Sequence, residues 1–250
     1  MRSLFFGFVA AILICSFAYA APVGNPTEPA YLKGNNRGKL TGIFNVLLGR
    51  DLENDAKIDS GTEYTAKLAY NFKEKIEVYA LVGAANDVVV TSDTEFIPGS
   101  STEIELGMAG LVGCGATFVI HEMDYHYKPL RFGADVKVQG YTPEFDNLTL
   151  NGVNTTYTAD KSSMLEWQVA IGAAYYYDRF IPYAGIKVSD ITIKNEASVN
   201  NTSRSNTLNA DNMFGIYGGC DFIYNDNVKF NIEGRVIDEN AFNVGATIMY

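Results

Sequence analysis

The feature that most constrains this chain is an alternation of apolar and polar side chains with a period of two residues. Apolar residues or glycine occupy every second position through 130–138, 228–236 and 242–250. Successive side chains of a β-strand point to opposite faces, so this period predicts strands with one apolar and one polar face. A helical period of 3.6 is hard to find anywhere after residue 38. The sequence therefore predicts an all-β protein.

Ten alternating segments follow one another along the chain. Each is long enough for the ~9–11 residues that a tilted strand needs to cross a bilayer. An even number of strands also places both chain ends on one side of the membrane, as in bacterial outer-membrane barrels. We predict an antiparallel transmembrane β-barrel of about ten strands, near 39–50, 61–72, 75–91, 107–120, 129–142, 163–178, 180–195, 210–225, 227–238 and 240–250.

The connections between these segments alternate in length. Those near 72–75, 177–180 and 224–228 are tight, whereas the intervening ones are long and rich in Asn, Thr, Ser and Asp. Outer-membrane barrels have short periplasmic turns and longer external loops. The connection at 238–240 is the exception, because it should be external and yet is short. The pattern predicts long external loops at 51–60, 91–106, 142–162 and 195–210.

The first residues of the chain predict export. Arg2 is followed by an apolar run through 4–17 and by Ala18-Tyr19-Ala20, which has the form of a signal-peptide cleavage site. No later stretch reaches the ~18 apolar residues of a transmembrane helix, so an exported chain of this kind enters a membrane only as a closed barrel. We predict a signal peptide at 1–20, a periplasmic N-terminal segment at 21–38 and a barrel of the bacterial outer membrane at 39–250.

The formal net charge of −10 argues against nucleic acid as a partner, because phosphate binding needs clustered Lys and Arg.

The aromatic residues near the strand ends agree with the predicted orientation of the barrel. Aromatic residues at these positions form girdles at membrane interfaces. Tyr250, at the end of the last strand, is the predicted assembly signal for the barrel-assembly machinery. The predicted periplasmic girdle comprises Tyr70, Phe72, Tyr175, Tyr176, Phe180, Tyr224 and Tyr250.

Residue groups that could carry catalysis are few. His121, Glu122, Asp124 and His126 are four potential metal ligands, but they fall in one predicted turn, where a solvated turn is the favoured interpretation. A ten-stranded protease of the omptin type needs Asp and His on the external face, whereas both histidines here fall on the periplasmic side. We therefore expect no enzymatic activity, and no cofactor or bound metal.

Two cysteines lie beyond the predicted signal peptide. Cys114 and Cys220 both fall on the outward parity of their strands, four strands apart, which argues against a bridge between them. They are either small apolar residues that face lipid, or sites of cross-linking to another subunit in an oxidising compartment. The sequence leaves both alternatives open.

The inward parity of the strands carries charged and amide side chains of both signs. A polar interior and an apolar exterior are typical of an outer-membrane barrel. The candidate lumen-lining residues are Lys67, Glu77, Arg131, Asp135, Lys137, Gln139, Glu166, Lys187, Asp221, Lys229, Glu233 and Arg235.

Five stretches of the chain, Ala21–Pro29, 113–118, 166–168, 182–188 and 232–250, together resemble the chlamydial-type major outer membrane porin family. The N-terminal run Ala21–Pro29 is the most specific, and 113–118, 166–168, 182–188 and 232–250 are similar to other parts of that family in the same order. The resemblance implies an outer-membrane porin that admits small solutes and forms trimers. The family is larger and rich in cysteine, in contrast to this chain.

Two functions follow from these observations. The first is a porin-like barrel through which small hydrophilic solutes or ions diffuse, with outer-membrane lipid and other copies of the chain as partners. The alternative is a structural or adhesive barrel with a closed lumen, whose loops 142–162 and 195–210 contact another surface. Ten strands lie near the size at which side chains fill the interior. A continuous water-wide path would favour the pore, and a closed network of charged side chains would favour the second function.

Overall fold

The computed structural model describes residues 22–31, 37–92, 101–154, 157–199 and 202–250. The predicted signal peptide lies outside the described residues. Within the described ranges, no helix is long and apolar enough to span a bilayer. The elements are a one-turn 3-10 helix (Glu28–Tyr31) and the strands β1 (Arg37–Asp51), β2 (Lys57–Phe72), β3 (Ile76–Ser92), β4 (Thr102–Leu106), β5 (Ala109–Tyr125), β6 (Lys128–Tyr141), β7 (Phe145–Leu150), β8 (Val153–Asn154), β9 (Tyr157–Tyr175), β10 (Phe180–Val199), β11 (Thr202–Asn209), β12 (Phe214–Asn225), β13 (Val228–Val236) and β14 (Asn240–Met249).

Ten of these strands form a closed antiparallel barrel, as the alternation predicts. They follow the order β1, β2, β3, β5, β6, β9, β10, β12, β13 and β14, each paired with the next. Pairing of β14 with β1, from Lys39 opposite Met249 to Leu47 opposite Ala241, closes the ring. The start of β1 and the end of β14 lie at the end of the barrel with the tight turns, which is called the turn end. The opposite end is called the loop end.

Tight hairpins at the turn end connect barrel strands. The turns between β2 and β3 and between β5 and β6 each have two central residues with positive φ, Lys73 and Glu74 in one and His126 and Tyr127 in the other. Two such residues match the twist of the flanking strands, and therefore give compact connections of three and two residues.

The predicted long loops at the loop end contain strands, which corrects the expectation of irregular polar loops. β4 pairs with the end of β3 and with β7, β7 pairs with β8, and β11 pairs with β10. β9 and β10 remain paired as far as Tyr157 and Val199. We call the part formed by β4, β7, β8, β11 and the loop-end stretches 157–164 and 190–199 the head.

The outward face of β10 is apolar from the turn end as far as Val188. Its outward residues Phe180, Pro182, Ala184, Ile186 and Val188 are apolar and together belong to a continuous apolar surface around the barrel, called the belt below. Opposite-parity residues on the same stretch face the lumen. The belt therefore begins at the turn end and stops at Val188 on this strand.

Beyond Val188 the two faces of β10 exchange character. Thr192, Lys194 and Glu196 point outward, whereas Ile191 and Ile193 are fully buried inside. The exchange comes from the sequence alone, because the register of β10 with β9 continues without a shift from Tyr183 to Ala197. The head therefore has an apolar interior and a polar exterior, as in a water-soluble domain.

The N-terminal residues 22–31 lie inside the barrel, in contrast to the separate periplasmic segment expected at 21–38. Val23 belongs to a buried apolar cluster with Ala174, Ile181 and Tyr183 of the barrel wall. Charged side chains of the barrel wall also form hydrogen bonds and ion pairs with this segment and hold it in the lumen. Residues 22–31 are called the plug below.

Candidate functional site: a filled lumen

The lumen contains three layers between the turn end and the loop end. The first is the plug with the side chains that bind it. The second is a layer of charged residues at the level of Lys187, called the charged layer. The third is the apolar interior of the head, called the cap. The layers are described in that order.

The plug is bound to the wall through its backbone. The amides of Val23 and Gly24 donate hydrogen bonds to the two carboxylate oxygens of Glu233, at 3.0 and 2.8 Å. The amide nitrogen of the Asn25 side chain donates to Asp221 at 2.9 Å. Lys137 donates to the carbonyl of Pro22. Buried charged side chains of the wall therefore satisfy the backbone groups of Pro22, Val23 and Gly24, which have no partner strand.

The plug has a compact local structure of its own. The Asn25 side-chain oxygen accepts hydrogen bonds from the backbone amide and the hydroxyl of Thr27, both at 2.9 Å. Such a turn precedes the 3-10 helix that begins at Glu28. The main-chain carbonyl of Pro26 approaches the wall at Gly133, where any Cβ would collide with it. The wall is therefore shaped to accept this segment.

Glu28 pairs with three lysines of the barrel wall. Its carboxylate lies 2.7 Å from Lys229, 3.1 Å from Lys39 and 3.4 Å from Lys67, measured to each ammonium nitrogen. Burial alone would raise the pKa of this carboxyl, but the attraction of Lys229, followed by Lys39 and Lys67, outweighs burial and holds the pKa well below its usual range. Glu28 is therefore ionised inside the barrel.

The charged layer crosses the lumen from wall to wall. Arg50 of β1 bonds to Glu166 of β9 at 3.2 Å and to the Ser189 hydroxyl of β10 at 3.1 Å. Lys187 lies 2.7 Å from Asp238 and also pairs with Glu239. Since a buried charge is tolerated only when it is paired, these contacts specify one arrangement of the layer.

Arg235 extends the charged layer across the seam between the chain ends. Its guanidinium contacts Glu239 at 2.7 Å, Glu233 at 3.1 Å and the Asn45 side-chain oxygen at 2.7 Å. Asn45 in turn donates to Glu63 at 2.9 Å. The network thereby joins β13, β1 and β2 and continues into the plug through Glu233.

The short connection between β13 and β14 belongs to this layer, which explains why it does not form an external loop. Asp238 and Glu239 are each 2% exposed and turn into the lumen. Ile237 has a φ of 90°, an unfavourable conformation for a β-branched residue, and its side chain is exposed. The strained backbone at Ile237 thus occurs in the turn that directs the Asp238 and Glu239 carboxylates into the lumen.

The cap closes the loop end with aliphatic and aromatic side chains. They come from the ends of the barrel strands and from β4, β7 and β11, and pack in one continuous cluster. The fully or nearly fully buried members include Leu47, Leu52, Ile58, Val88, Val90, Ile104, Leu106, Leu111, Tyr141, Phe145, Leu148, Met164, Ile191, Ile193 and Leu208.

The sequence-predicted lumen residues lie mostly in these layers. All twelve except Arg131 have at most 8% of their surface exposed. Arg131 lies at the turn end with Glu122 at 2.7 Å and with its guanidinium over the Tyr176 ring. The β5–β6 hairpin extends past the neighbouring strand there, since β3 pairs with β5 only as far as Phe118. Inward parity therefore does not place Arg131 in the charged layer.

Sequence reasoning missed several residues of the site. Lys39 is on the inward parity of β1, so the alternation could have identified it. A register irregularity between Leu47 and Gly49 reverses the parity that follows, which turns Arg50 inward. Glu28 and Glu239 lie outside the strands, where alternation has no meaning.

The remaining predicted residues are at the surface or near it. His121 and His126 lie on the exposed turn-end hairpin, and among the described residues no group of three or more potential metal ligands occurs. Cys114 and Cys220 are partly buried on the outward parity and are not joined by a disulfide. Tyr250 is exposed and its backbone pairs with Gly38. Its role as an assembly signal stays a prediction.

One residue of the predicted aromatic girdle points inward. Tyr176 directly follows the outward Tyr175, and the Tyr176 hydroxyl donates to the carbonyl of Thr27 in the plug at 3.2 Å. Tyr70, Phe72, Phe180 and Tyr224 are exposed on the outside at the turn end.

No family model and no curated protein matches the chain. Solved structures do match. The outer membrane protease OmpT from Escherichia coli has a TM-score of 0.45 and 10% identity, with coverage of 86% of this chain and 95% of that one. Ail, the attachment invasion locus protein of Yersinia pestis, has a TM-score of 0.36 and 9% identity, with coverage of 87% and 100%. The COG4313 outer membrane channel from Pseudomonas putida F1 has a TM-score of 0.37 and 9% identity, with coverage of 92% and 97%. These proteins are a protease, an attachment protein and a channel, so the likeness concerns the fold alone.

Proposed function

We propose that this chain spans the bacterial outer membrane. The belt supports this location. On β10 the belt runs from Phe180 to Val188, which corresponds to about 30 Å of strand at ~3.4 Å per residue. With a tilt of roughly 40°, that length covers about 23 Å, close to the ~25 Å apolar band of outer-membrane barrels. The turn end then faces the periplasm and the head projects outside.

Within that membrane we propose a closed barrel that acts as an adhesive or structural element and uses the head as its contact surface. The observation that carries this proposal is the filling of the lumen by three successive layers: plug, charged layer and cap. A cavity of about 50 Å³ beside the plug is lined by Lys67, Lys229 and Asn243 among others. That volume holds one or a few waters, which is too little for a solute path. The porin-like function and the trimer implied by the family resemblance stay predictions, and the filled lumen does not favour the first.

The head has the surface of a contact element. Its exterior and the adjoining loop-end turns carry many exposed carboxylates and few exposed ammonium groups among the described residues. An acidic surface attracts a partner of net positive charge. The exposed acids are Asp51, Glu53, Asp55, Asp87, Glu103, Glu105, Glu144, Asp146, Glu196 and Asp211, and the exposed lysines are Lys57, Lys161 and Lys194.

Single-channel recording tests the closed lumen. The refolded chain, shown to be folded by heat-modifiable gel mobility, is inserted into planar bilayers. We expect no openings, and stepwise reproducible openings would contradict the closed barrel. A variant that lacks residues 22–31 is measured beside it. Since the charged layer and the cap remain, this variant should also be silent, and openings from it alone would assign the closure to the plug.

Adhesion assays test the head as the contact surface. Cells that express Glu103→Lys/Glu105→Lys are compared with wild-type cells for binding to amine-coated and to animal-cell surfaces. The matched control is Glu74→Lys/Asp124→Lys, which makes the same change of charge at the turn end. We expect severalfold weaker binding for the head variant only. Equal loss in both variants would implicate bulk charge, and no binding above an empty-vector strain would leave the structural role.

A further inference from the structure

The plug's Glu28 occupies a site that the barrel wall builds by itself. Lys39, Lys67 and Lys229 come from β1, β2 and β13, and their ammonium groups converge on one carboxylate. The three lysine side chains are at most 10% exposed. We call these three lysines the lysine cradle.

The wall also holds the cradle in place without the plug. Glu77 pairs with Lys67 at 2.8 Å and with Lys39, and Asp221 lies 3.4 Å from Lys229. The Lys67 ammonium also stands 4.2 Å from the centre of the Tyr79 ring. Each lysine thus keeps a partner on the wall when Glu28 is removed, so its side chain stays oriented toward the same point.

The charges of this group define the ligand. The wall contributes four ammonium groups, those of Lys39, Lys67, Lys137 and Lys229, and three carboxylates, those of Glu77, Asp135 and Asp221, and therefore has one unbalanced positive charge. Glu28 supplies the missing negative charge. A ligand with a single negative charge and two oxygens that accept hydrogen bonds balances the group, because a buried unpaired charge is costly.

We propose that the lysine cradle is a monocarboxylate-binding site, which the plug fills in cis through Glu28 and which a small free monocarboxylate fills when that side chain is absent. This inference does not rest on the proposed surface function. The Glu28→Ala substitution removes a CH2–COO⁻ group, which has the size and charge of acetate. The cavity beside the plug adjoins Glu28, Lys67 and Lys229, so the space that the substitution leaves is continuous with it.

Rescue by acetate tests the site. Glu28→Ala is refolded, and its unfolding midpoint is measured at neutral pH in sodium acetate and in sodium chloride of equal ionic strength. We expect a lowered midpoint in chloride and a saturable recovery of at least half of the loss in acetate, with half-saturation in the millimolar range. Broadening of the ¹³C-acetate resonance by Glu28→Ala, but not by the wild-type chain, is the expected direct signature.

Two controls make the result specific. Glu28→Gln keeps the size of the side chain and leaves no room for acetate, so it should show no rescue. Glu122→Ala removes a carboxylate that pairs with Arg131 on the exposed hairpin, and it should respond to neither anion. An acetate effect no larger than the chloride effect, or one of equal size in either control, would overturn the proposal.

The test remains decisive if Glu28→Ala does not refold in chloride. The refolding yield in acetate then becomes the measurement, with heat-modifiable mobility as the criterion of folding. A yield that rises with acetate concentration supports the site. A yield that is no higher in acetate than in chloride overturns it.

Discussion

The half of this barrel that carries the belt, called the belt half, and its head are built from the same strands but with opposite polarity. On β10, Lys187 faces inward and Val188 outward, whereas a few residues later Ile193 faces inward and Lys194 outward. The register does not change between these positions. The strand pairing therefore does not determine which face is polar, since the order of apolar and polar residues in the sequence does. An apolar exterior suits a surface in contact with lipid, as proposed for the belt, and a polar exterior suits a surface in contact with water.

The comparison also shows two ways to close a tube. In the belt half the interior is filled by paired charges, and removal of one partner leaves another charge buried and unpaired. In the head the interior is filled by aliphatic contacts, each of which contributes independently in proportion to its buried area. Four predictions, in order of decreasing effect, test this contrast.

The largest effect is expected from loss of one charge in the charged layer. Lys187→Met leaves Asp238 and Glu239 buried with one cation fewer, which should lower the free energy of unfolding by about 3–5 kcal/mol. Lys194→Met, on the outward face of the same strand in the head, is the matched control and should cause no measurable change. Urea or guanidinium unfolding in lipid gives both values. Similar losses for the two variants would refute the contrast.

A single truncation in the cap should cost less and should act alone. Ile193→Ala creates a cavity in the fully buried cluster and should lower the free energy of unfolding by about 2–4 kcal/mol. Ile186→Ala, on the half-exposed belt of the same strand, should have a much smaller effect because lipid fills the space. The double variant Lys187→Met/Ile193→Ala should show the sum of the two losses within error if the layers are independent.

The contribution of Glu28 should depend on pH. The pKa of Glu28 is lowered in the folded barrel by its lysines against the effect of burial, so this group stabilises the fold fully above its unfolded pKa of 4.5 and progressively less as pH falls through the lowered value. Glu28→Gln should therefore lower the free energy of unfolding by about 1–3 kcal/mol at neutral pH. That difference from wild type should shrink below pH 4.5. A constant difference across the titration would contradict the charge-based account. The groups that face Glu28 are Lys39, Lys67 and Lys229, with Glu77 and Asp221 behind them.

The smallest effect is a gain in stability at the strained turn. Ile237→Gly keeps the positive φ but removes its steric cost, because glycine has no Cβ, and should raise the free energy of unfolding by about 1 kcal/mol. The side chain is half exposed, so little packing is lost. Val236→Gly, at an equally exposed neighbour without positive φ, is the control and should stabilise nothing. Thermal unfolding of both variants measures the difference.

Much of the barrel could be predicted because alternation reports directly which residues share a face. The ten strands and the inward position of residues such as Glu166 and Lys229 follow from that rule. The head was missed because β7 and β11 contain Asn, Thr and Ser, which also favour turns and loops. Their apolar residues, such as Leu148 and Leu208, are few, and only their packing against the neighbouring strands identifies them as part of a buried cluster.

The plug could not be predicted from its sequence. It contains Pro26 and Pro29 and has no periodic pattern, so it reads as an exposed linker, and its position depends on cations that are distant in the sequence. The β13–β14 connection did carry a usable anomaly. A connection too short for an external loop and containing two adjacent carboxylates, Asp238 and Glu239, points to a turn that is folded inward.

Glu28 has a further consequence for how the two ends of the chain come together. The seam of the barrel is the pairing of β14 with β1, and Lys39 and Lys229 lie on opposite sides of that seam, one on β1 and one on β13. One carboxylate therefore ties the first barrel strand to the last hairpin from within. Two sets of contacts therefore hold the ring closed, and we call them its two fastenings: the backbone hydrogen bonds between β14 and β1, and the ion pairs of Glu28 inside the lumen. A barrel that closes with the plug outside has only the first set. Closure of the ring with both fastenings thus requires residues 22–31 to be inside the barrel.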